Sequence, residues 1–317
     1  MRRSLSDVHI PDGYLSPATC AVGYAVAVPA LAVAVRKVKT VVKTRQVPTL
    51  AMFSAVSFLV MMFNIPIPDG TTAHAVGAGV IAIVLGPWAA MIAVAVALLF
   101  QALLFGDGGV LAYGANVANM AVAMPFVAYG LYKLISGKSE LTSPRRVLAA
   151  AVGGYVGITV AALLTGIELG IQPDLFHDAA GAPLYSPYHL SQTIPAMLLA
   201  HLLVAGFAEA ALSGGVVAYL QRANLPLLRT NESELKRPWV GWAAIGTLVV
   251  LTPLGLLASG EAFGEDAPES ARVWTTIPFD GYDFGGPPWL AYVVCAVIGV
   301  AVVGATVFLI GKVRTRR

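Results

Sequence analysis

Charge is what this chain has least of. Only 12% of its 317 residues are Asp, Glu, Lys or Arg, while 57% are hydrophobic. A water-soluble domain carries about twice that charged share, so an ordinary globular protein is excluded. Cysteine is nearly absent as well. Cys20 and Cys295 are the only two, each inside an apolar run, which leaves neither a disulfide framework nor a CxxC metal site. A nucleotide loop is also missing. The "GKS" at Gly137 to Ser139 has Tyr132 where the loop's first glycine belongs, and it comes after an apolar run rather than a strand. The net charge is only +3, so nothing marks nucleic acid as a partner.

Apolar length, by contrast, is plentiful. Nine runs cover roughly 17–35, 49–63, 74–86, 87–105, 109–135, 145–168, 192–220, 239–259 and 289–311. Several reach the ~20 residues that a helix needs to cross the ~30 Å hydrocarbon core of a lipid bilayer. The expected fold is an all-α integral membrane protein: a seven-segment helical body plus two further transmembrane helices. The third run is short and Gly-rich, and Gly86, Pro87 and Trp88 mark a tight connection after it.

The few charges are sorted by side. Seventeen of the twenty Lys and Arg fall in four groups: 36–45, 133–146, 222–237 and 312–317. The alternate connections carry Asp12, Asp69, Asp107, Asp174, Asp178 and an acidic stretch from Glu261 to Asp283. The excess of Lys and Arg on cytoplasmic loops then sets the C-terminus inside and, after nine crossings, the N-terminus outside. Arg2, Arg3 and Arg272 are the exceptions, and two of these lie in the prefix "MRRSLSD". That prefix is not a secretory signal, because "PDG" interrupts before any apolar stretch begins. Residues 1–7 are therefore set apart from a membrane body over 8–221. A charged, Pro-bounded linker spans 222–238, and a two-helix tail occupies 239–317. The tail's outer loop, 260–288, is acidic and Gly/Pro-rich, and it reads as solvated surface rather than a cation funnel.

Five histidines are the main chemistry on offer: His9, His74, His177, His189 and His201. His9 and His74 fall on the outer side, each beside a "PDG", in "HIPDGYL" and "IPDGTTAH". Neutral imidazole is the commonest side-chain metal ligand, but two imidazoles fall short of the roughly four donors that a selective nickel, copper or cobalt site requires. Ordinary hydrogen-bonded loop histidines are the plainer reading. A histidine at position two of a chain changes the count. The free α-amine, the next backbone nitrogen and the imidazole then close fused chelate rings, and one more imidazole completes a planar four-nitrogen set suited to Ni(II) or Cu(II).

Other polar residues have humbler readings beside functional ones. Asn64, Thr71 and Thr72 flank His74 and either orient its ring or cap the loop. Asn116 and Asn119 lie in an apolar run, where polar groups bond between helices, with site support as a second role. Glu209 sits mid-membrane, a functional position by default, with His201 two turns earlier as a candidate partner. Met61, Met62, Met120 and Met124 read as gap-filling core residues rather than soft ligands.

Four stretches in order carry a resemblance: "VHIPDGYLSPATC", "FLVMMFNIPIPDGTTAHAVG", "LLFGDGGVLAYGANVANM" and "HLLVAGFAEAALSGGVVAYLQR". Together they resemble the substrate-binding M component of nickel/cobalt energy-coupling-factor transporters, over roughly residues 8 to 230. The stretch from "LTPLGLLASGEAFGED" onward is similar to the two-helix N component often fused to it. The resemblance implies capture of Ni(II) or Co(II) as transported substrate at the outer face of a bacterial or archaeal cell membrane, with no organic cofactor. It also implies a transmembrane coupling subunit and cytoplasmic ATPase subunits as partners, and no enzymatic activity in this chain. Nickel is favoured slightly; the alternatives are cobalt uptake for cobalamin biosynthesis and a secondary metal-ion transporter with its own driving force.

In that family the ligands are the terminal amine, the amide and imidazole nitrogens of residue two, and a histidine in the loop before the third helix. By resemblance these map to His9 and His74, with Val8 where the initiating Met belongs. GTG encodes valine within a reading frame and methionine at a bacterial start. A start at Val8 restores the amine and removes Arg2 and Arg3 together. Proteolytic removal of the prefix is the alternative, and a degenerate site without the amine is the third.

Overall fold

The computed structural model describes residues 9–41, 46–67, 71–229, 238–257 and 273–315. Nine principal helices run through these residues, one for each apolar run. They are α1 (Pro17–Val41), α2 (Val47–Met61), α3 (Ala78–Leu85), α4 (Pro87–Phe105), α5 (Tyr113–Ser136), α6 (Pro144–Gly170), α7 (Leu190–Ala223), α8 (Pro238–Leu257) and α9 (Pro288–Thr315). Proline opens α1, α4, α6, α8 and α9, where its missing N–H costs nothing and its fixed φ suits the first turn. All but α2 and α3 are long and apolar enough to cross a membrane, so this is a multi-pass membrane protein.

The two short helices refine the expectation of nine helical crossings. At 1.5 Å per residue, α2 spans about 22 Å and α3 only about 12 Å. The run 74–86 is helical over Ala78–Leu85 alone, and every residue of α3 is buried. Irregular backbone at membrane depth is tolerated only inside protein, with its polar groups bonded. Gly77, at φ 75°, makes the left-handed turn that starts α3. A second departure from an all-helical reading is a hairpin between α2 and α3. Strands β1 (Ile65–Ile67) and β2 (Thr71–Ala73) pair antiparallel, with Ile65 opposite Ala73 and Pro66 opposite Thr72. Pro66 stops helix continuation, and with two strands both are edges, where proline is allowed.

Helix α3 lies at the centre, touching α4, α5, α6 and α7. Helix α6 packs between α5 and α7, closely enough that a Cβ on Gly153 would stand 2.6 Å from the Ala128 carbonyl. Helix α1 lies along α4 and α5. The last two helices do not stand apart: α9 packs on α2 and α4, and α8 on α2. Gly299 and Gly311 let α9 descend onto the Phe58 ring and Val47. Three stretches of π-helix, Gln101–Phe105, Val117–Ala123 and His201–Ala205, interrupt α4, α5 and α7. Such bulges re-aim side chains, and the first ends just before Asp107.

Candidate metal centre

His9 and His74, distant in sequence, meet at one end of the bundle. Their ring centroids lie 5.1 Å apart at 60°, and they are 3% and 4% exposed. Backbone clamps hold each of them in place.

The segment that carries His9 enters against the connection between α4 and α5. Asn116 grips Ile10 in both directions: its Oδ1 accepts from the Ile10 N–H and its Nδ2 donates to the Ile10 carbonyl, each at 3.0 Å. The Gly109 N–H donates to that carbonyl too, at 3.0 Å. Asp12 returns the favour, its Oδ1 accepting from the N–H groups of Leu111 and Ala112 at 2.8 and 3.2 Å. The approach is too close for side chains: a Cβ on Gly108 would stand 2.9 Å from His9 Cβ, and one on Gly109 would overlap Asp12. This interlock explains "HIPDG" and "GDGGV" as one feature split over two places in the chain.

Within the pocket, His9 Nδ1–H donates to Asp107 Oδ1 at 2.6 Å. Asp107 Oδ2 accepts from the Tyr282 hydroxyl at 2.6 Å and from Gln101 Nε2 at 3.1 Å, and Gln101 Nε2 also reaches the Tyr282 oxygen at 3.2 Å. Burial alone would push the Asp107 carboxyl up, but the neighbouring His9 and the hydrogen bonds from His9 and Tyr282 outweigh it, holding the carboxyl below its ordinary value. Burial raises the Tyr282 phenol well above its ordinary value, so it remains a donor. A carboxylate thus lies beneath the imidazoles. His9 Nε2, buried, finds no hydrogen-bond partner among the described residues, a costly state unless something else takes that space.

His74 Nδ1 bonds the Ala75 carbonyl at 2.9 Å, which fixes the ring and leaves Nε2 as its other nitrogen. Burial, then the neighbouring His9, lowers its pKa to about 3. The ring is therefore neutral at ordinary pH, the form that ligates metals. The backbone just after His74 is held by Glu209. Glu209 Oε2 accepts from the N–H groups of Val76 and Gly77 at 2.8 Å each, and Oε1 from Gly79 at 3.4 Å. The carboxylate satisfies the donors that the short α3 leaves open. His201 does not pair with it; its Nδ1 bonds the Met197 carbonyl.

The remaining sequence candidates separate clearly. Asn119 bonds Thr165 Oγ1 and Glu168 Oε2 at 3.2 and 2.7 Å, tying α5 to α6. Asn64 is buried just before β1, and Thr71 and Thr72 lie in β2, with their side chains outside the described residues, as is all of Val8. His177 is exposed, and His189 is too, paired with Asp174. Among the described residues, no three His, Cys, Asp or Glu side chains are placed to hold a metal ion by themselves. Sequence reasoning missed Asp107, Gln101 and Tyr282 as parts of this centre. Asp107 lies within the "FGDGG" stretch, but nothing local connects it to His9. Tyr282 lies in the tail loop expected to be solvated surface. Instead the described part of that loop docks: the Phe279 N–H donates to Leu104 and Trp274 Nε1 to Leu103. Tyr282 stacks on Phe105 at 5.0 Å, holding a φ of 59° that costs a bulky residue about 1–3 kcal/mol.

Fold and site together define a class, a multi-pass helical membrane protein with an imidazole pocket closed into one end of its bundle. Comparison with known proteins narrows it. The family described as a cobalt uptake substrate-specific transmembrane region matches residues 9–227, and the chain belongs to it. The fused nickel transport protein NikMN of Rhodobacter capsulatus is 53% identical over 260 residues, 81% of this chain and 75% of that one. The "Probable fused nickel transport protein LarMN" of Lactiplantibacillus plantarum is 52% identical over 84% of this chain and 80% of its own length. A solved structure, that of a truncated transition metal transporter, shares 58% identity and a TM-score of 0.63, covering 67% of this chain and 98% of that one. The resemblance to an M component with a fused tail is thereby borne out.

Proposed function

We propose that this chain captures Ni(II), and Co(II) less readily, at the extracytoplasmic face and hands it inward as the substrate-specific subunit of an ATP-driven energy-coupling-factor uptake system. It would have no ATPase of its own; a transmembrane coupling subunit and cytoplasmic ATPase subunits supply the power. The N-terminus lies outside and the C-terminus inside, in keeping with the segregation of Lys and Arg. Relatives named as nickel transport proteins support nickel, while the family description names cobalt.

One observation carries the reading: two buried imidazoles lie 5.1 Å apart, one with an unpartnered nitrogen. The donors are His74, the ring and backbone nitrogen of His9, and the amine of residue 8 once that residue begins the chain. Four nitrogens in a plane favour nickel. A chelate ring through the His9 backbone nitrogen closes only on Nδ1, and Nδ1 here holds Asp107. Loading therefore involves a swing of the His9 side chain that turns Nδ1 to the ion and, in its place, turns Nε2–H to Asp107.

The test is the intact mass of the protein expressed from its native gene, together with nickel titration. A chain that begins Met-His-Ile at position 8 and binds Ni(II) tightly is the expected result. Tight binding by a chain that retains Met1, Arg2 and Arg3 overturns the amine ligand.

A further inference from the structure

The proposed metal ligands all belong to the membrane body, yet one hydrogen bond of the centre comes from the far end of the chain. Tyr282 reaches Asp107 from 175 positions away. It is 3% exposed, between Phe105 and Tyr292 at ring distances of 5.0 and 5.3 Å. Its backbone sits in a left-handed conformation that a bulky side chain seldom adopts. The approach is prepared on both sides. The Phe279 N–H bonds the Leu104 carbonyl at the π-helical end of α4, and Gly106 leaves room where Asp280 comes in. Mere filling of an apolar gap would be served by phenylalanine. The hydroxyl has a specific job, because Asp107 Oδ2 faces it at 2.6 Å while Oδ1 faces His9.

We propose that Tyr282 is a positioning residue for metal capture: its hydroxyl, with Gln101, pins the Asp107 carboxylate so that this carboxylate orients the His9 imidazole. The inference rests on the capture reading and deepens it. An unpinned Asp107 can rotate, taking its Oδ1 off His9 or turning towards the incoming cation as a competing oxygen donor. Pinned, it acts only through His9. In the loaded state that contact is the Nε2–H bond, and a carboxylate on the ring nitrogen not bound to the ion fixes the orientation of a ligating histidine; disturbing it weakens metal affinity about 10–100-fold. The tail thereby contributes to the affinity and geometry of a site whose metal ligands all lie elsewhere.

The experiment uses the full-length chain beginning at residue 8, with Ni(II) as the probe. Affinity is measured by competition with a chromophoric chelator, and the ligand-field absorption band of the bound ion is recorded. Wild type, Tyr282→Phe, Tyr282→Ala, Asp107→Asn and the Tyr282→Phe/Asp107→Asn double variant are compared. The expected result is a loss of about tenfold or more for Tyr282→Phe with a shifted band, a similar loss for Tyr282→Ala, and no further loss in the double variant beyond Asp107→Asn, since the two residues act in series. If Tyr282→Phe binds like wild type while Tyr282→Ala is weakened, the residue is only packing and the proposal is wrong. Losses that multiply in the double variant also overturn it. A wild-type chain that binds no Ni(II) refutes the capture reading itself, an outcome distinct from either.

Discussion

The two histidine-bearing segments reach the same pocket by opposite means. The backbone of the His9 segment, a stretch of irregular chain, is gripped by a neutral amide, Asn116 on both sides of Ile10, and by the glycine backbone at 108–109, while its own Asp12 bonds back to Leu111 and Ala112. The His74 segment is held from below by a buried carboxyl group, that of Glu209, which takes three backbone N–H groups at once. The difference stems from the groups each segment leaves open. Around His9 the backbone needs both donors and acceptors, and an amide supplies one of each. Before α3 the Ala75 and Val76 carbonyls are taken by His74 and the Ser57 hydroxyl, which leaves the N–H groups, and a carboxyl group is the acceptor that serves several of them. An ionisable residue deep in a membrane protein is thus explained without a proton pathway.

That contrast can be broken at its strongest point first. Glu209→Ala leaves three buried N–H groups without an acceptor, each costing about 1–3 kcal/mol, so the thermal midpoint in detergent should fall steeply and nickel binding should vanish with the fold. Glu209→Gln keeps one acceptor oxygen and should lose about half as much. If Glu209→Ala melts like wild type, the carboxylate does not hold the His74 segment. Next come the ligands themselves. His9→Ala and His74→Ala should each cost at least about a hundredfold in Ni(II) affinity, or about 2.7 kcal/mol, while the melting curve changes little. Wild-type affinity in either variant removes that residue from the site. Asn116→Ala, which loses two hydrogen bonds to Ile10, should weaken nickel binding more modestly and expose the 9–16 segment to limited proteolysis; an unchanged digestion pattern would show the amide clamp to be dispensable. The smallest effect belongs to His177→Ala, an exposed histidine, for which affinity and stability should match wild type.

Several of these residues are visible in the chain and several are not. His9 and His74 stand out because histidine is rare here and each sits beside a repeated "PDG". Glu209 stands out because a charge is rare in an apolar run, but its three backbone partners are invisible to sequence: backbone N–H groups carry no letter. The natural guess of a side-chain partner, His201, fails for that reason. Gln101 lies in the π-helical end of α4 and Asp107 just beyond it, where a local change of pitch decides which way they face. Tyr282 is the hardest case. Its loop is polar and Gly/Pro-rich, the composition of solvated chain, and only the neighbouring Phe105 and Asp107 give it a place to dock.

What the chain determined by itself is the membrane class, the nine apolar runs and the pair of histidines, because hydrophobic length and residue rarity are one-dimensional properties that no folding can alter. The tertiary structure alone decided that the third run is half helix and half clamped backbone, that the last helix lies on α2 and α4, and that the tail loop completes a hydrogen-bond chain to His9. Those features depend on which groups meet across more than a hundred residues, and on how donors left open by one segment are satisfied by another.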